Sequence, residues 1–114
     1  MPEPAVCLYH DDADGRCSAA IVRRALGAHV QLFAMEYGDA IPWQAIDTAV
    51  RVIVVDFSLP LPYMRRIHNQ TELIWIDHHK TSIETLGELK DLPGMRSIDE
   101  AACVLTWETF FPDQ

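Results

Sequence analysis

Positive charge is scarce in this chain. Its 114 residues carry 9 Lys plus Arg against 17 Asp plus Glu, a formal net charge of −8 at pH 7. Such a balance argues against broad nonspecific duplex binding and leaves room only for a local basic groove. Cysteine is scarce too. Cys7, Cys17 and Cys103 have no zinc-like spacing, and three widely separated thiols do not make a disulfide scaffold. Cys7 falls in an expected strand and Cys103 in an expected apolar helix, so both read as buried thiols of a reducing compartment. No apolar run approaches membrane-spanning length, and Met1-Pro2-Glu3-Pro4 lacks a basic region followed by an apolar one. These absences predict a soluble, cytoplasmic protein. Repeats, coiled-coil heptads and low-complexity tracts are also missing. With 49% apolar and 23% charged residues, the composition is that of one globular domain with a real core.

Short β-branched runs alternate with helix-sized segments. Ala5–Tyr9, Val30–Met35, Arg51–Val55 and Glu72–Ile76 read as strands, with Met95–Ile98 a candidate short edge strand. Expected helices are Cys17–Leu26, stopped by Gly27, then Pro42–Ile46, Tyr63–Asn69, Ile83–Leu89 and Glu100–Phe110. Thr81 or Ser82 would cap the fourth helix and Asp99 the last. Leu59-Pro60-Leu61-Pro62 reads as a stiff connection. The alternation predicts right-handed βα crossovers in an α/β fold, an open three-layer αβα sandwich with a largely parallel sheet of four to five strands.

The carboxylates and imidazoles fall in three groups. They are His10-x-Asp12-x-Asp14-Gly15, Asp56 after Val52-Ile53-Val54-Val55, and Asp77-His78-His79 after Leu73-Ile74-Trp75-Ile76. Each begins at the carboxyl end of an expected strand, where open α/β sheets bind ligands. So many acids without a Lys or Arg among them repel one another, and divalent metal is the simplest remedy. Imidazole nitrogen with carboxylate oxygen suits Mn²⁺, Zn²⁺ or Fe²⁺. Asp56 could bridge two ions about 4 Å apart, an arrangement suited to hydrolysis at phosphorus. Taken singly, Asp12, Asp14 and Asp56 read equally as helix or turn caps, and the adjacent histidines as solvent-facing or core side chains. No serine or cysteine nucleophile pairs with a histidine base.

Tyr9-His10-Asp11-Asp12-Ala13-Asp14-Gly15 resembles the first motif of the DHH phosphoesterase superfamily in its single-strand-exonuclease, RecJ-like branch. Val55-Asp56-Phe57-Ser58 is similar to the second motif and Asp77-His78-His79-Lys80-Thr81-Ser82 to the third. Ser97–Phe110, centred on Ala101-Ala102, resembles the helix that follows. The resemblance implies two divalent cations, manganese with magnesium the alternative. His10, Asp12 and Asp56 would hold the first; Asp14, Asp56 and His78 would hold the second. Asp77 would orient from behind the ligands, and His79 would face the phosphate. Arg16, Arg23, Arg24 and Lys80 are candidate phosphate contacts, although the helix arginines read first as solvent-facing charge.

A fourth-motif aspartate and a second, substrate-binding domain belong to the family pattern, and nothing after Phe110 supplies either. Residues 1–114 therefore read as a single, truncated or minimal catalytic domain. The expected function is metal-dependent hydrolysis of phosphodiester or phosphomonoester bonds in nucleotides or short single-stranded nucleic acid. The alternatives are a noncatalytic phosphate or nucleotide-binding module and an inactive fragment. The last helix is apolar nearly all round, with Thr106, Glu108 and Thr109 as its polar strip. Either it is crossed on both sides, or one face packs on later sequence or a second copy. A homodimer through residues 100–111 is the sharper expectation.

Overall fold

All four long apolar runs become strands of one sheet. The computed structural model describes residues 3–114. In it β1 (Ala5–His10), β2 (Val30–Met35), β3 (Arg51–Val55) and β4 (Glu72–Ile76) pair in parallel, in the order β2-β1-β3-β4. The helices are α1 (Ala13–Leu26), α2 (Trp43–Asp47), α3 (Leu61–Gln70), α4 (Lys80–Thr85) and α5 (Ala102–Phe110), with a 3₁₀ turn at Gly87–Leu89.

Side chains alternate across the sheet, and both faces are covered. Val6, Leu8, Val52, Val54, Leu73 and Trp75 pack beneath α2 and α3 at Ile46, Met64 and Ile67. Ala5, Cys7, Ile53, Val55, Ile74 and Ile76 pack on the other face against Val22 of α1 and Leu105 of α5. That double coverage explains why these strands read as continuous apolar runs. Each fully buried aliphatic contributes roughly 1.5–3 kcal/mol relative to exposure. The Trp75 indole N–H, buried with its ring, donates to the Phe57 carbonyl at 3.0 Å.

Several boundaries differ from the sequence expectation. α1 starts four residues early, at Ala13, with Gly15 inside its first turn. α3 starts at Leu61, so half of the expected stiff connection is helical. Pro62 sits in the first turn, where a missing N–H costs nothing. α4 begins directly after His79, without a side-chain cap from Thr81 or Ser82, and ends at Thr85. Residues 95–98 form no strand, only a parallel bridge between Arg96 and Asp77. The Arg96 guanidinium holds this segment against β4 by donating to the carbonyls of Trp75, Lys90, Leu92 and Pro93.

The last helix also departs from expectation. Asp99 does not cap it; α5 starts at Ala102. Thr106 is fully buried rather than part of a polar strip, because its hydroxyl donates to the Ala102 carbonyl at 2.7 Å. Trp107 stacks on Phe111 at 4.5 Å, with the Arg24 guanidinium 5.8 Å from the indole. Arg24 therefore lies over aromatic surface of the last helix. Of the helix's large apolar side chains only Val104 is exposed, which reduces the surface that a two-fold seam would use. Cys103 is only half-buried and Cys17 is exposed, while Cys7 is buried as expected. No helix among the described residues is long and apolar enough to cross a membrane.

Candidate metal centre

The strand order creates a crevice between β1 and β3. From β1 the chain passes outward to β2, and from β3 it passes the other way to β4, so the loops leaving β1 and β3 diverge. His10 is the last residue of β1. Asp12 follows in an extended conformation as the N-cap of α1, and its carboxylate accepts the Gly15 amide at 2.7 Å. Asp14 lies two residues further, in the first helical turn. Asp56 directly follows β3 with a left-handed φ of 54°, its amide donating to Ile76 at 2.9 Å. That conformation is uncommon for a side-chain-bearing residue and best tolerated by Asn and Asp.

These loops bring the two halves of the cluster together. The His10 Nδ1 lies 2.9 Å from Asp12 Oδ2. The His78 Nε2 lies 2.9 Å from Asp56 Oδ1 and 3.3 Å from Asp14 Oδ2. Two groups could each hold a cation, His10 with Asp12 and Asp56, and Asp56 with His78 and His79. Asp56 is common to both. It is 1% exposed, and its Oδ2 has no hydrogen-bond partner. Burial, then the neighbouring Asp12 and Asp14 carboxylates, push its pKa up to about 7. An orphaned carboxylate oxygen, surrounded by acids and imidazoles, fits a divalent cation.

Asp14 has a second task that the sequence did not show. Its two oxygens accept the amides of Ala102 and Cys103 at 3.0 and 2.9 Å, so it caps α5 from 88 residues away. The cap and ligand readings of these aspartates are therefore not exclusive. Asp14→Ala should lower stability by about 1–2 kcal/mol, the usual cost of losing an N-cap. Urea unfolding of the metal-free protein measures this, and an unchanged midpoint would show that α5 does not need the bond.

Asp77 and His79 form a coupled pair. The buried Asp77 Oδ1 accepts the amides of His78 and His79 at 2.8 and 3.3 Å, and lies 2.6 Å from His79 Nδ1. An oxygen accepting two amides requires the proton on Nδ1, which leaves His79 Nε2 free 4.0 Å from Asp56. Burial nevertheless raises the Asp77 pKa, against the lowering effect of His79.

Glu36 completes the cluster and was missed. It follows β2 as the other acids follow their strands, and its carboxylate lies 3.2 Å from His10 Nε2. Position at a strand's carboxyl end was the available signal. Burial lowers the His10 pKa, but Asp12 and Glu36 outweigh it and hold the imidazole above its ordinary value. Arg16 is held by Asp11 at 2.9 Å, and Lys80 lies 4.0 Å from Glu84. Neither forms an ion pair with the cluster among the described residues.

Neither a protein-family model nor a curated protein matches the sequence. Solved structures do match the fold. An uncharacterized protein from Helicobacter pylori aligns with a TM-score of 0.74 at 15% identity, covering 92% of this chain and 35% of that one. Exonuclease RecJ bound to manganese aligns at 0.61 and 19% identity, covering 97% and 34%. RecJ in complex with Mn²⁺ from Thermus thermophilus aligns at 0.54 and 25% identity, covering 69% and 12%. The chain thus spans well under half the length of each of these proteins. It has a RecJ-like α/β fold, with groups of potential metal ligands in the crevice at the ends of its central strands.

Proposed function

We propose that the chain is a metal-dependent phosphoesterase domain of the DHH type, spanning residues 1–114. It would cleave phosphodiester or phosphomonoester bonds of nucleotides or short single-stranded nucleic acid. The observation that carries this reading is Asp56, buried with an orphaned oxygen and shared by two groups of potential ligands. His10, Asp12 and Asp56 would hold one cation. The other would take Asp56 and His78 together with Asp14, which lies 3.3 Å from His78, in place of the His79 of the geometric group. Manganese is the favoured ion, supported by the two RecJ structures that contain it. When bound, the cations neutralise the acids, activate water and draw charge from the phosphoryl oxygens.

The chain's own groups do the rest. Asp77 fixes the His79 imidazole through Nδ1, so that Nε2 faces the site. Left out of both proposed ligand sets, that nitrogen would face the phosphate rather than a cation, where a donor would stabilise negative charge developing on it. Arg16 and Lys80 would serve as phosphate contacts by exchanging Asp11 and Glu84 for the substrate.

A second reading, a noncatalytic phosphate-binding module with one ion, is favoured by one observation. Both Asp14 oxygens are already engaged by α5 amides, which weakens the second ligand set. Calorimetric titration with Mn²⁺, paired with hydrolysis of the p-nitrophenyl ester of thymidine 5′-monophosphate, separates the two. Two ions with Mn²⁺-dependent release of p-nitrophenol support the phosphoesterase. One ion without turnover supports the module, and no bound ion defeats both.

A further inference from the structure

Beside the metal centre, on the α2–α3 side, lies a cavity of about 360 Å³, within the size range of small-molecule sites. Tyr37, Trp43 and Tyr63 line it, with the ring of the buried Phe57 packed behind Tyr37. Tyr37 and Tyr63 are 57% and 44% exposed. Their positions are nevertheless fixed. The turn that presents Tyr37 is closed by the Glu36 amide donating to the Asp39 carboxylate at 2.8 Å and the Asp39 amide donating to the Glu36 carbonyl at 3.0 Å. The Tyr37 ring then packs on Phe57, centroids 4.8 Å apart. Across the cavity, Arg66 lies 3.8 Å over the Trp43 ring, and Tyr63 meets that indole edge-on at 5.9 Å.

The cavity adjoins the candidate metal centre through Phe57 and Glu36. Phe57 directly follows Asp56, and its ring stacks on His10 at 6.2 Å with an interplanar angle of 17°. Glu36 lines the cavity while its carboxylate reaches His10. A ligand with its phosphate among the acids would have this aromatic lining as its neighbour. Glu36 and Asp39 also line it, their carboxylates retaining lone pairs beyond those facing His10 and the Glu36 amide, and so does the buried Ser58. Flat rings beside such acceptors suit a planar heterocycle bearing N–H donors. A hydrocarbon chain would leave the acceptors unpaired, and a sugar phosphate would not use the rings.

We propose that this cavity is a nucleobase subsite, seating the base of a nucleotide whose phosphate lies at the metal centre. The phosphate's place rests on the phosphoesterase reading; the base's place does not. The test is a chemical-shift titration of the metal-free full chain, in EDTA, with adenosine and separately with ribose 5-phosphate. Adenosine should give saturable shifts at Tyr37, Trp43 and Tyr63, and ribose 5-phosphate none there. Tyr37→Ala should weaken adenosine at least about fivefold, consistent with one lost stacking partner, while Tyr37→Phe retains it. Tyr63→Ala serves the same purpose if the first variant melts abnormally. Absent saturation, equal shifts with ribose 5-phosphate, or undiminished binding by a folded alanine variant would overturn the subsite. Mn²⁺ binding measured in parallel keeps the outcomes apart. Lost adenosine with retained metal removes only the subsite, and lost metal with retained adenosine removes only the phosphoesterase.

Discussion

Asp56→Asn is expected to remove Mn²⁺ binding and hydrolysis while making the metal-free protein more stable above neutral pH. The loss of affinity should exceed the roughly 10–100-fold typical of changing a residue behind a ligand, because Asp56 is common to both ligand groups. The gain in stability follows from its environment. Burial and the adjacent Asp12 and Asp14 raise the Asp56 pKa to about 7, well above the value it has in an unfolded chain. Its contribution is therefore fully present below the unfolded pKa of about 4 and is lost as pH rises through about 7. Asn carries no charge at any pH, tolerates the left-handed φ and can still accept from His78 through its side-chain oxygen. Melting in EDTA should show little difference between variant and parent near pH 4, with a lead that grows as pH rises through about 7. By pH 8 the variant should lead by about 4 °C, equivalent to ~1 kcal/mol. An advantage that is the same at both pH values would mean that Asp56 is not protonated in the folded metal-free protein.

The sheet was legible because β1, β3 and β4 are apolar on both faces, as a doubly covered parallel sheet demands, while the edge strand β2 is buried only at its ends. Val52-Ile53-Val54-Val55 could not have been half exposed, and all four of its side chains are buried. The site was legible to the extent that its acids follow strands. His10, Asp12, Asp14, Asp56 and His78 share the crevice for the reason their positions suggested, at the carboxyl ends of β1, β3 and β4.

What stayed hidden depends on contacts distant in sequence or on exceptions to local rules. Nothing near Asp14 announces that its carboxylate caps α5, because its partners are Ala102 and Cys103. Thr106 looked like polar surface, yet bonding its own helix at Ala102 lets a hydroxyl be buried without penalty. Tyr37, Trp43, Phe57 and Tyr63 share no periodicity, and only the loops beyond β2 and β3 make them neighbours. Gly15 lies inside α1 although glycine is a poor helix former, so propensity alone places the start of that helix beyond it, at Cys17.

Gly15→Ala tests why that glycine lies inside a helix. On propensity alone the change should stabilise α1 by up to about 1 kcal/mol. The structure requires the opposite sign. A β-carbon at position 15 would stand 1.8 Å from the His10 carbonyl oxygen and 2.7 Å from its carbon. Both obstructing atoms are backbone at the end of β1, so no side chain can swing aside. The first turn of α1 must retreat from the strand, carrying Asp14 away from the α5 amides and Asp12 away from His10. Overpacking of this kind costs about 3 kcal/mol at the upper end of the usual range, a fall of roughly 10 °C or more in melting temperature. Mn²⁺ affinity should drop with it, since Asp12 of the first ligand group and Asp14 of the proposed second set are tied to that turn. Gly87→Ala is the control, because a β-carbon there meets nothing within 4 Å and its φ lies outside the positive range. That variant should melt within about 2 °C of the parent, as surface changes away from special features do. If Gly15→Ala melts at or above the parent while Gly87→Ala behaves as stated, the close approach of α1 to β1 does not exist in solution, and the placement of Asp12 beside His10 and of Asp14 beside His78 falls with it.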